Sequence, residues 1–526
     1  MSGFRAEMTA RYGIVAQAAV VAVFLIFLAV QWHGPGFFVG TDAIAYIVGG
    51  VNLITTGRFT NLAGQPELWF PPFYPITIGL VSLGGRVNPE TVSHVIAATC
   101  AVIGLLLTAR CARLAGARGY EPVLAMAVLA LNPIHQNAGL YALSESTATV
   151  LALLAFMMWL PQSGRSFAHY ALVGLFVGFT YLTRPEGIVL LPFWATVDAI
   201  RSKFSLAVLK RCAVAGLVAA LVALPYVSYL YRHTGRVALT GKTAINLTSG
   251  RATYYGQPTE FIDPGTLEVG LWKYDVSFAG EAGRFLWNEA RVAGSYARHL
   301  IGILGVAILV GVVSFARARE GRFLAGGAVF VAYLVILGVF QMKDRFLHMS
   351  LPFLSILAAR GLTSLLQPVS RVGDAVRRAP LRVALAAAMG IGAVAQSIAA
   401  ASDNIEDGTG GPLLAKAGAA LRSTTTTKGV VYDQWGQVAF NSNQFSRILT
   451  PNDTQTILRY IDRHAVPGQP VYLALSSMEA SWYHPSLRPL IESAEGFPQL
   501  RRVVAMSDKY GSIVIYEVRP LNAPVR

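Results

Sequence analysis

The sequence predicts an α-helical polytopic membrane protein followed by a small α/β domain. Of its 526 residues, 54% are hydrophobic and only 13% are charged, and the mean hydropathy is +0.49. Nearly uncharged runs at 13–31 and 380–401 reach the ~20 residues that a helix needs to cross ~30 Å of hydrocarbon. These observations exclude an ordinary soluble protein.

The first apolar run has a positive flank at Arg5 and Arg11, which a signal peptide would also have. The run is long, however, and no small-residue cleavage site follows it. We therefore interpret 13–31 as an uncleaved membrane anchor.

The net charge of +15 does not indicate nucleic acid binding. Basic residues are concentrated in short loops between apolar runs, as the positive-inside rule describes, so we expect no nucleic acid partner. The three cysteines, Cys100, Cys111 and Cys212, lie in or beside predicted spans, which excludes a disulfide framework and a CxxC metal site.

The apolar runs predict about eleven transmembrane helices. They fall at 13–31, 92–110, 120–134, 141–160, 167–183, 185–200, 208–231, 299–316, 323–341, 346–366 and 380–401. With a cytoplasmic N-terminus, the basic loops share the cytoplasmic side. These loops are 110–118, 201–211, 317–322 and 371–382. The other side receives 32–91, the turn at Arg184, the loop 232–298 and the tail from Ser402.

Two segments on the outer side have predicted structure of their own. Residues 72–84 are apolar but too short to span, which favours a re-entrant or interfacial helix. The tail 402–526 is predicted to form an external α/β domain, separate from a membrane module at 1–401. Its β-rich runs are 429–433, 470–475, 500–506 and 512–518, with a helix near 452–464.

Asp42 is the first candidate catalytic residue. It follows the first span directly, in Gly40-Thr41-Asp42, and precedes an amphipathic helix predicted at 43–56. A carboxylate held at the membrane boundary suits a general base that meets a lipid-borne substrate. The alternative is that Thr41 and Asp42 only cap the helix.

Three further segments place polar side chains on the same predicted side. They are a Pro-Pro-aromatic turn with Glu67 and Tyr74, the sequence Tyr141–Glu145, and the turn Thr183–Gly187. Ionisable groups at such depths are functional candidates by default. For Arg184 and Glu186 we favour a structural ion pair; Glu145 is either catalytic or an internal partner of a basic residue.

Over residues 10–400 the chain resembles membrane glycosyltransferases with the C-type (GT-C) fold. The specific branch holds the protein O-mannosyltransferases of family 39, the aminoarabinose transferases of lipid A and Rgt-like sugar transferases. The motifs are the acidic residue after the first span, PPFYP, YALSES, LTRPEG and KDRFLHMSLPFL. The residues they contribute are Asp42, Pro71, Pro72, Tyr74, Glu145, Arg184, Glu186, Lys343, Arg345 and Pro352.

The resemblance implies an inverting hexosyl- or pentosyltransferase that uses a sugar linked to a polyprenyl monophosphate. Asp42 would then take the proton from an acceptor hydroxyl. The leaving lipid phosphate needs fixed cations, for which Lys343 and Arg345 are the first candidates and Lys242 is the second. The alternative for Lys343 and Arg345 is interfacial snorkelling, with Asp344 as the counter-charge.

The remaining candidates are substrate-binding or structural: Tyr46, Tyr74, Arg184, Glu186, His135 and His348. Relatives often have a second acidic residue beside the first, sometimes together with a divalent metal. Here Ala43 follows Asp42, so we expect no metal site and no required cofactor. Glu67 or Glu145 would be the source of a second carboxylate if a metal were used.

The resemblance implies a multi-pass protein of the inner cell membrane that acts in the cell envelope, with its site and tail on the periplasmic or extracytoplasmic side. Its partners are then membrane lipids, the polyprenyl-phosphate sugar and an acceptor glycan, lipid or protein. We expect acceptor selection in the tail and in the loop 232–298, with Tyr254, Tyr255, Trp272 and Trp287, because aromatic faces stack on sugar rings. The alternative is that these aromatic residues are interfacial anchors.

The main alternative is a lipid or glycolipid transporter or flippase. Such a protein usually has internal repeats and ionisable residues in the middle of its spans. In this sequence no repeat is visible, and the notable charges lie at the outer ends of spans. An O-antigen-type ligase is a third interpretation, but its large external loop usually lies between later spans.

Overall fold

The structure is a computed structural model. It describes residues 2–32, 34, 39–160, 166–242, 246–247, 277–296, 302–318, 320–339, 343–366, 392, 395, 410–433, 436–448, 454–477, 487–494, 496–508 and 511–519. The chain divides into two compact units. We call them the helical unit (1–32, 94–240 and 275–404) and the mixed unit (33–93, 241–274 and 405–526).

The described helices follow one another along the chain as α1 (Ser2–Gln31), α2 (Thr41–Thr56), α3 (Phe73–Val81), α4 (Pro89–Leu114), α5 (Glu121–Ala130), α6 (Pro133–Leu140), α7 (Glu145–Trp159), α8 (Phe167–Thr183), α9 (Leu190–Arg201), α10 (Leu206–Thr234), α11 (Phe278–Tyr296), α12 (Gly302–Arg317), α13 (Gly321–Gly327), α14 (Val329–Gly338), α15 (Leu351–Leu366), α16 (Gly410–Thr424), α17 (Gln437–Ser442), α18 (Thr454–His464) and α19 (Arg488–Glu492). Two 3-10 helices, Pro185–Val189 and Asp344–Ser350, precede α9 and α15.

The long apolar helices show that the chain is a multi-pass membrane protein. Within the described residues, four helices are long and apolar enough to cross a membrane: Gly13–Gln31, Pro89–Leu114, Leu206–Thr234 and Asp344–Leu365. The pair α6 and α7 is bent by 113° and adds a fifth candidate. Shorter apolar helices accompany them. The total of about eleven spans stays a prediction, and its last member, 380–401, lies almost entirely outside the described residues.

A buried carboxylate holds four helices of this unit together. Asp198 on α9 accepts hydrogen bonds from Trp159 Nε1 (3.0 Å) and Tyr170 Oη (2.6 Å). It also pairs with Arg322 at 2.8 Å. Because a charge buried in an apolar unit must be compensated, these contacts fix α7, α8, α9 and α13 relative to one another.

In the mixed unit, α2 and α3 pack with their backbones in contact. A Cβ atom on Gly50 would lie 2.0 Å from the carbonyl oxygen of Pro75, and one on Gly79 would lie 2.3 Å from that of Gly50. Only glycine allows this approach. Helix α3 has nine residues, too few to span a bilayer, as predicted for this segment.

The C-terminal part of the mixed unit is a five-stranded sheet in the order β2-β1-β3-β5-β4. The strands are β1 (Val430–Asp433), β2 (Phe445–Ile448), β3 (Val471–Ser476), β4 (Leu500–Asp508) and β5 (Gly511–Val518). Strand β1 runs parallel to β2 and β3, whereas β5 is antiparallel to β3 and β4. The predicted α/β domain is confirmed, and of its strands only β2 was not predicted.

Helices cover both faces of this sheet. Helix α18 turns its apolar residues, among them Ile457 and Ile461, toward one core cluster. Helix α16 contributes Leu414 and Leu421 to the other cluster, against which Leu62 of the segment after α2 also packs. The segment that follows the first span is therefore part of the same folded unit as the C-terminal sheet.

Candidate active site

Asp42 lies in the first turn of α2, and its side chain is not used as a cap. The residue at the cap position is Gly40, with extended backbone and no side-chain hydrogen bond. The alternative that Thr41 and Asp42 cap the helix is therefore wrong. A negative charge in the first turn of a helix is favoured by the positive end of the helix dipole.

The partner of Asp42 is Lys242, which is 200 residues away in the sequence. Its Nζ lies 3.3 Å from Asp42 Oδ1, and both side chains are about one-quarter exposed. The same ammonium group lies 3.6 Å from the centroid of the Phe70 ring. A carboxylate on one side and an aromatic face on the other hold Lys242 in place.

Glu67 shapes the turn that presents Phe70. Its Oε1 accepts hydrogen bonds from the backbone N–H groups of Trp69 (2.8 Å) and Phe70 (3.2 Å). The side chain is only 3% exposed. Burial raises the pKa of Glu67 to about 7, against the opposing effects of these hydrogen bonds and of Lys242.

An open cleft adjoins Asp42 within the mixed unit. It encloses about 660 Å³, including solvent at its mouth. Its walls come from α2, from the turn around Glu67 and from the C-terminal sheet domain: Thr41, Asp42, Ile44, Ala45, Asn61, Leu62, Ala63, Glu67, Trp69, Phe70, Gly436, Ser446 and Arg447. We call this the Asp42 cleft. The Asp42 carboxylate therefore lies at the wall of a cleft that is open to solvent.

Tyr46 and Tyr74 are packing residues in this structure. Their rings meet edge to face at 5.1 Å, and Tyr46 also contacts Phe70 at 4.6 Å. Tyr74 is fully buried, and its hydroxyl donates to the carbonyl oxygen of Ser93 at 3.4 Å. Both therefore support the position of α2 rather than line the Asp42 cleft.

The helical unit contains a second cluster, centred on Glu145 at the start of α7. The Glu145 carboxylate, whose side chain is 5% exposed, is 2.7 Å from Arg184 and 3.4 Å from Arg345. Arg184 also pairs with Glu186 at 2.6 Å. These contacts favour the interpretation of Glu145 as an internal partner of basic residues. They also match the structural ion pair expected of Arg184 and Glu186.

The two arginines of this cluster retain access to solvent. Arg345 is 29% exposed and Arg184 is 14% exposed, and both guanidinium groups lie near the Phe346 ring. Lys343 precedes the 3-10 helix Asp344–Ser350 and is exposed. The cluster thus presents cations while its buried carboxylate offsets part of their charge.

His135 and His348 form a buried hydrogen-bonded series with Thr149. The distance from His135 Nδ1 to His348 Nε2 is 2.9 Å, and that from His348 Nδ1 to Thr149 Oγ1 is 2.8 Å. Thr149 lies one turn after Glu145 on α7, and His348 lies one turn after Arg345. The pairs Thr149–His348 and Glu145–Arg345 therefore join the same two elements and fix the orientation of Arg345.

No three His, Cys, Asp or Glu side chains are grouped closely enough to hold a metal ion in the part of the chain that the structure describes. The expected independence from metal stays a prediction. Of the aromatic residues expected to select acceptors, Tyr254, Tyr255 and Trp272 lie outside the described residues, and Trp287 stacks with Arg291 on α11.

No protein-family model matches the sequence, and no curated protein matches it either. Solved structures do. ArnT from Cupriavidus metallidurans in the apo state has a TM-score of 0.59 and 14% identity, with 97% of this chain and 98% of that chain covered. The same protein bound to undecaprenyl phosphate gives a TM-score of 0.58 at 13% identity, with coverages of 97% and 99%.

The archaeal oligosaccharyltransferase AglB from Archaeoglobus fulgidus, in complex with an inhibitory peptide and a dolichol-phosphate, gives a TM-score of 0.57. Its identity is 13%, and 97% of this chain and 75% of that chain are covered. This chain has the GT-C fold. The predicted fold class is thereby confirmed, and at such low identity the likeness shows the fold alone.

Proposed function

We propose that this protein is an inverting glycosyltransferase, which moves a sugar from a polyprenyl-phosphate donor to an acceptor hydroxyl on the non-cytoplasmic face of the inner membrane. The observation that carries the proposal is the Asp42 carboxylate, which Lys242 orients at the wall of an open cleft. The chain that presents it has the GT-C fold. ArnT with undecaprenyl phosphate and AglB with a dolichol-phosphate support the donor class.

In the proposed reaction, Asp42 accepts the proton of the acceptor hydroxyl while the oxygen attacks the anomeric carbon. The bond from that carbon to the phosphate oxygen breaks, and polyprenyl phosphate leaves. Attack from the face opposite the leaving group inverts the anomeric centre without a covalent intermediate. Lys242 keeps the carboxylate oriented, since it is hydrogen-bonded to Oδ1.

In the helical unit, Arg345 and Lys343 are the cations that we propose for the lipid phosphate. Charge accumulates on that phosphate as the bond breaks, so fixed cations lower the barrier. The role that the ion pairs support for Glu145 is to hold Arg345, with Arg184 as a second partner. His348 supports the same turn through Thr149.

The test uses the full-length protein in nanodiscs, supplied with a panel of polyprenyl-phosphate sugars, and measures release of polyprenyl phosphate. Loss of a general base typically costs roughly 10²- to 10⁴-fold in rate, so we expect Asp42→Asn to lose at least a hundred-fold. Asp462→Asn, on α18, is the matched control and keeps the wild-type rate.

Equal rates in wild type and Asp42→Asn would remove Asp42 from the mechanism. If the wild type consumes no donor but moves lipid across vesicles, the transferase proposal fails and a transporter replaces it. The anomeric configuration of the product, read by NMR, tests inversion separately.

A further inference from the structure

We propose that Arg447 makes the Asp42 cleft selective for acceptors that carry a phosphate or carboxylate group near the attacking hydroxyl. The inference rests on the proposed function, in which Asp42 activates that hydroxyl. It adds the class of acceptor and assigns a binding role to the C-terminal domain.

The first observation is the position of Arg447. It lies on the edge strand β2, is half-buried and lines the same cleft as Asp42. Among the described residues, no carboxylate forms an ion pair with it. A guanidinium group has five N–H donors and no acceptor, and it binds phosphate or carboxylate in bidentate fashion. A partly desolvated cation at the wall of a cleft therefore favours an anionic ligand.

The second observation is the topology of the sheet. Strands β1 and β2 are parallel, so their carboxyl ends meet at one edge. Gly436 follows β1 at this edge, Arg447 lies near the end of β2, and both line the cleft. In open α/β sheets, ligands bind in the crevice outside the carboxyl ends of the strands, at the point where the strand order reverses. The edge that faces Asp42 is thus the edge where this class of fold places its ligands.

The third observation is that this edge is held rigidly. The Asp433 carboxylate, buried at the end of β1, accepts hydrogen bonds from the backbone N–H groups of Val438 (3.0 Å) and Ala439 (3.4 Å). Its other oxygen accepts a hydrogen bond from Ser446 Oγ at 3.2 Å. Asp433 therefore fixes the start of α17 and the residue before Arg447, so the guanidinium group starts from a preorganised backbone.

Among the described residues that line the cleft, Arg447 is the one cation, and it has no ion pair with another described residue. Asp42 is paired with Lys242. Burial raises the pKa of Glu67 to about 7, which reduces its negative charge near neutral pH. An acceptor anion at Arg447 therefore completes the charge balance of the cleft. Trp69, half-buried in the same wall, adds an aromatic surface for a sugar ring.

The experiment compares three small probes that differ in charge: octyl β-glucoside 6-phosphate, octyl β-glucuronide and neutral octyl β-glucoside, each below its micellar concentration. The full-length protein is held in nanodiscs, and binding is measured directly by thermophoresis. Charge-assisted hydrogen bonds lead us to expect roughly ten- to hundred-fold tighter binding of the anionic probes.

Arg447→Gln should abolish this preference, and Arg447→Lys should restore part of it, which a merely misfolded cleft would not do. Arg463→Gln, an exposed arginine on α18, is the matched control and keeps the preference. In a transfer assay with the donor that the wild type uses, Arg447→Gln should lower kcat/KM for the anionic probes mainly through KM.

Each failure has its own signature. Wild-type turnover with no preference for charge, or with a preference that survives Arg447→Gln, overturns the inference and leaves the transferase intact. If anion binding depends on Arg447 but no donor releases polyprenyl phosphate, the anion site stands and the transferase proposal fails. If undecaprenyl phosphate competes with the anionic probes for wild type but not for Arg447→Gln, the anion belongs to the donor, and the acceptor assignment is wrong.

Discussion

The buried carboxyl of Glu67 makes the stability of the mixed unit depend on pH in a direction that can be tested. Its pKa is raised from 4.5 to about 7 in the folded protein, chiefly by burial. The folded state therefore binds the proton more tightly than the unfolded state. The resulting stabilisation is fully present below pH 4.5 and is lost as the pH rises through about 7.

The size of the effect follows from the shift. About 2.5 pH units at 1.36 kcal/mol each give about 3 kcal/mol between the two limits. For a unit of this size, that corresponds to roughly 6 to 12 °C in Tm. Because Glu67 is 3% exposed, solvent screening reduces this figure little.

Glu67→Gln mimics the protonated side chain and keeps an oxygen that accepts the hydrogen bonds of Trp69 and Phe70. We expect it to match the wild type at pH 4.5 and to exceed it in Tm at pH 8. Tryptophan fluorescence during heating in nanodiscs measures both curves.

Burial also raises the pKa of Asp433 to about 7. Asp433 is present in the wild type and in Glu67→Gln, so its effect on the pH dependence of Tm is the same in both and cancels when their Tm values are subtracted. Glu492→Gln, at an exposed carboxyl, should run parallel to the wild type. A Glu67→Gln curve that is also parallel to the wild type from pH 4.5 to 8 would refute the reasoning.

Two further predictions concern packing and charge. Glu145→Gln removes the carboxylate that Arg184 and Arg345 share, so it should destabilise the protein by roughly 3 kcal/mol. Glu186→Gln removes a partner of Arg184 alone and should cost less. Equal Tm values for the two variants would contradict this reasoning. Gly79→Ala places a Cβ 2.3 Å from the Gly50 carbonyl oxygen and should cost roughly 1 to 3 kcal/mol with reduced transfer activity. Gly216→Ala, whose Cβ would meet no atom outside its own helix within 4 Å, should lower neither Tm nor activity.

The sequence predicted what depends on local pattern. Apolar runs gave helices such as α8 with the predicted bounds, and alternating β-branched segments gave four of the strands. Strand β2 (FSRI) was missed because it has a single β-branched residue, whereas the equally short β1 (VVYD) begins with two valines. The predicted span 141–160 contains α7, which begins at Glu145 after a 113° bend from α6; α6 itself, between the runs 120–134 and 141–160, was not predicted. Pro133 and the polar residues after it begin that separate helix.

The sequence predicted most residues of the candidate site, but not which of their side chains contact one another. Asp42, Glu145, Arg184 and Arg345 were candidates from their positions at the ends of spans. That Lys242 would pair with Asp42 was not visible, because 200 residues separate them. Arg447 was not a candidate at all, since a basic residue in a soluble domain carries no signal until the sheet brings it to a cleft.

The joint folding of the first loop and the last domain has a consequence for biosynthesis. The Val39 carbonyl accepts a hydrogen bond from Gln437, 398 residues later, and the Leu62 carbonyl accepts one from the Ser446 N–H. At roughly 5–20 residues per second, the helix that bears Asp42 is made about 20–80 s before the surface that completes it. During that interval Leu62 lacks its apolar core, so a nascent chain has an unfinished Asp42 cleft until the sheet is translated and folded. The enzyme that we propose therefore becomes active only when its C-terminal domain is complete.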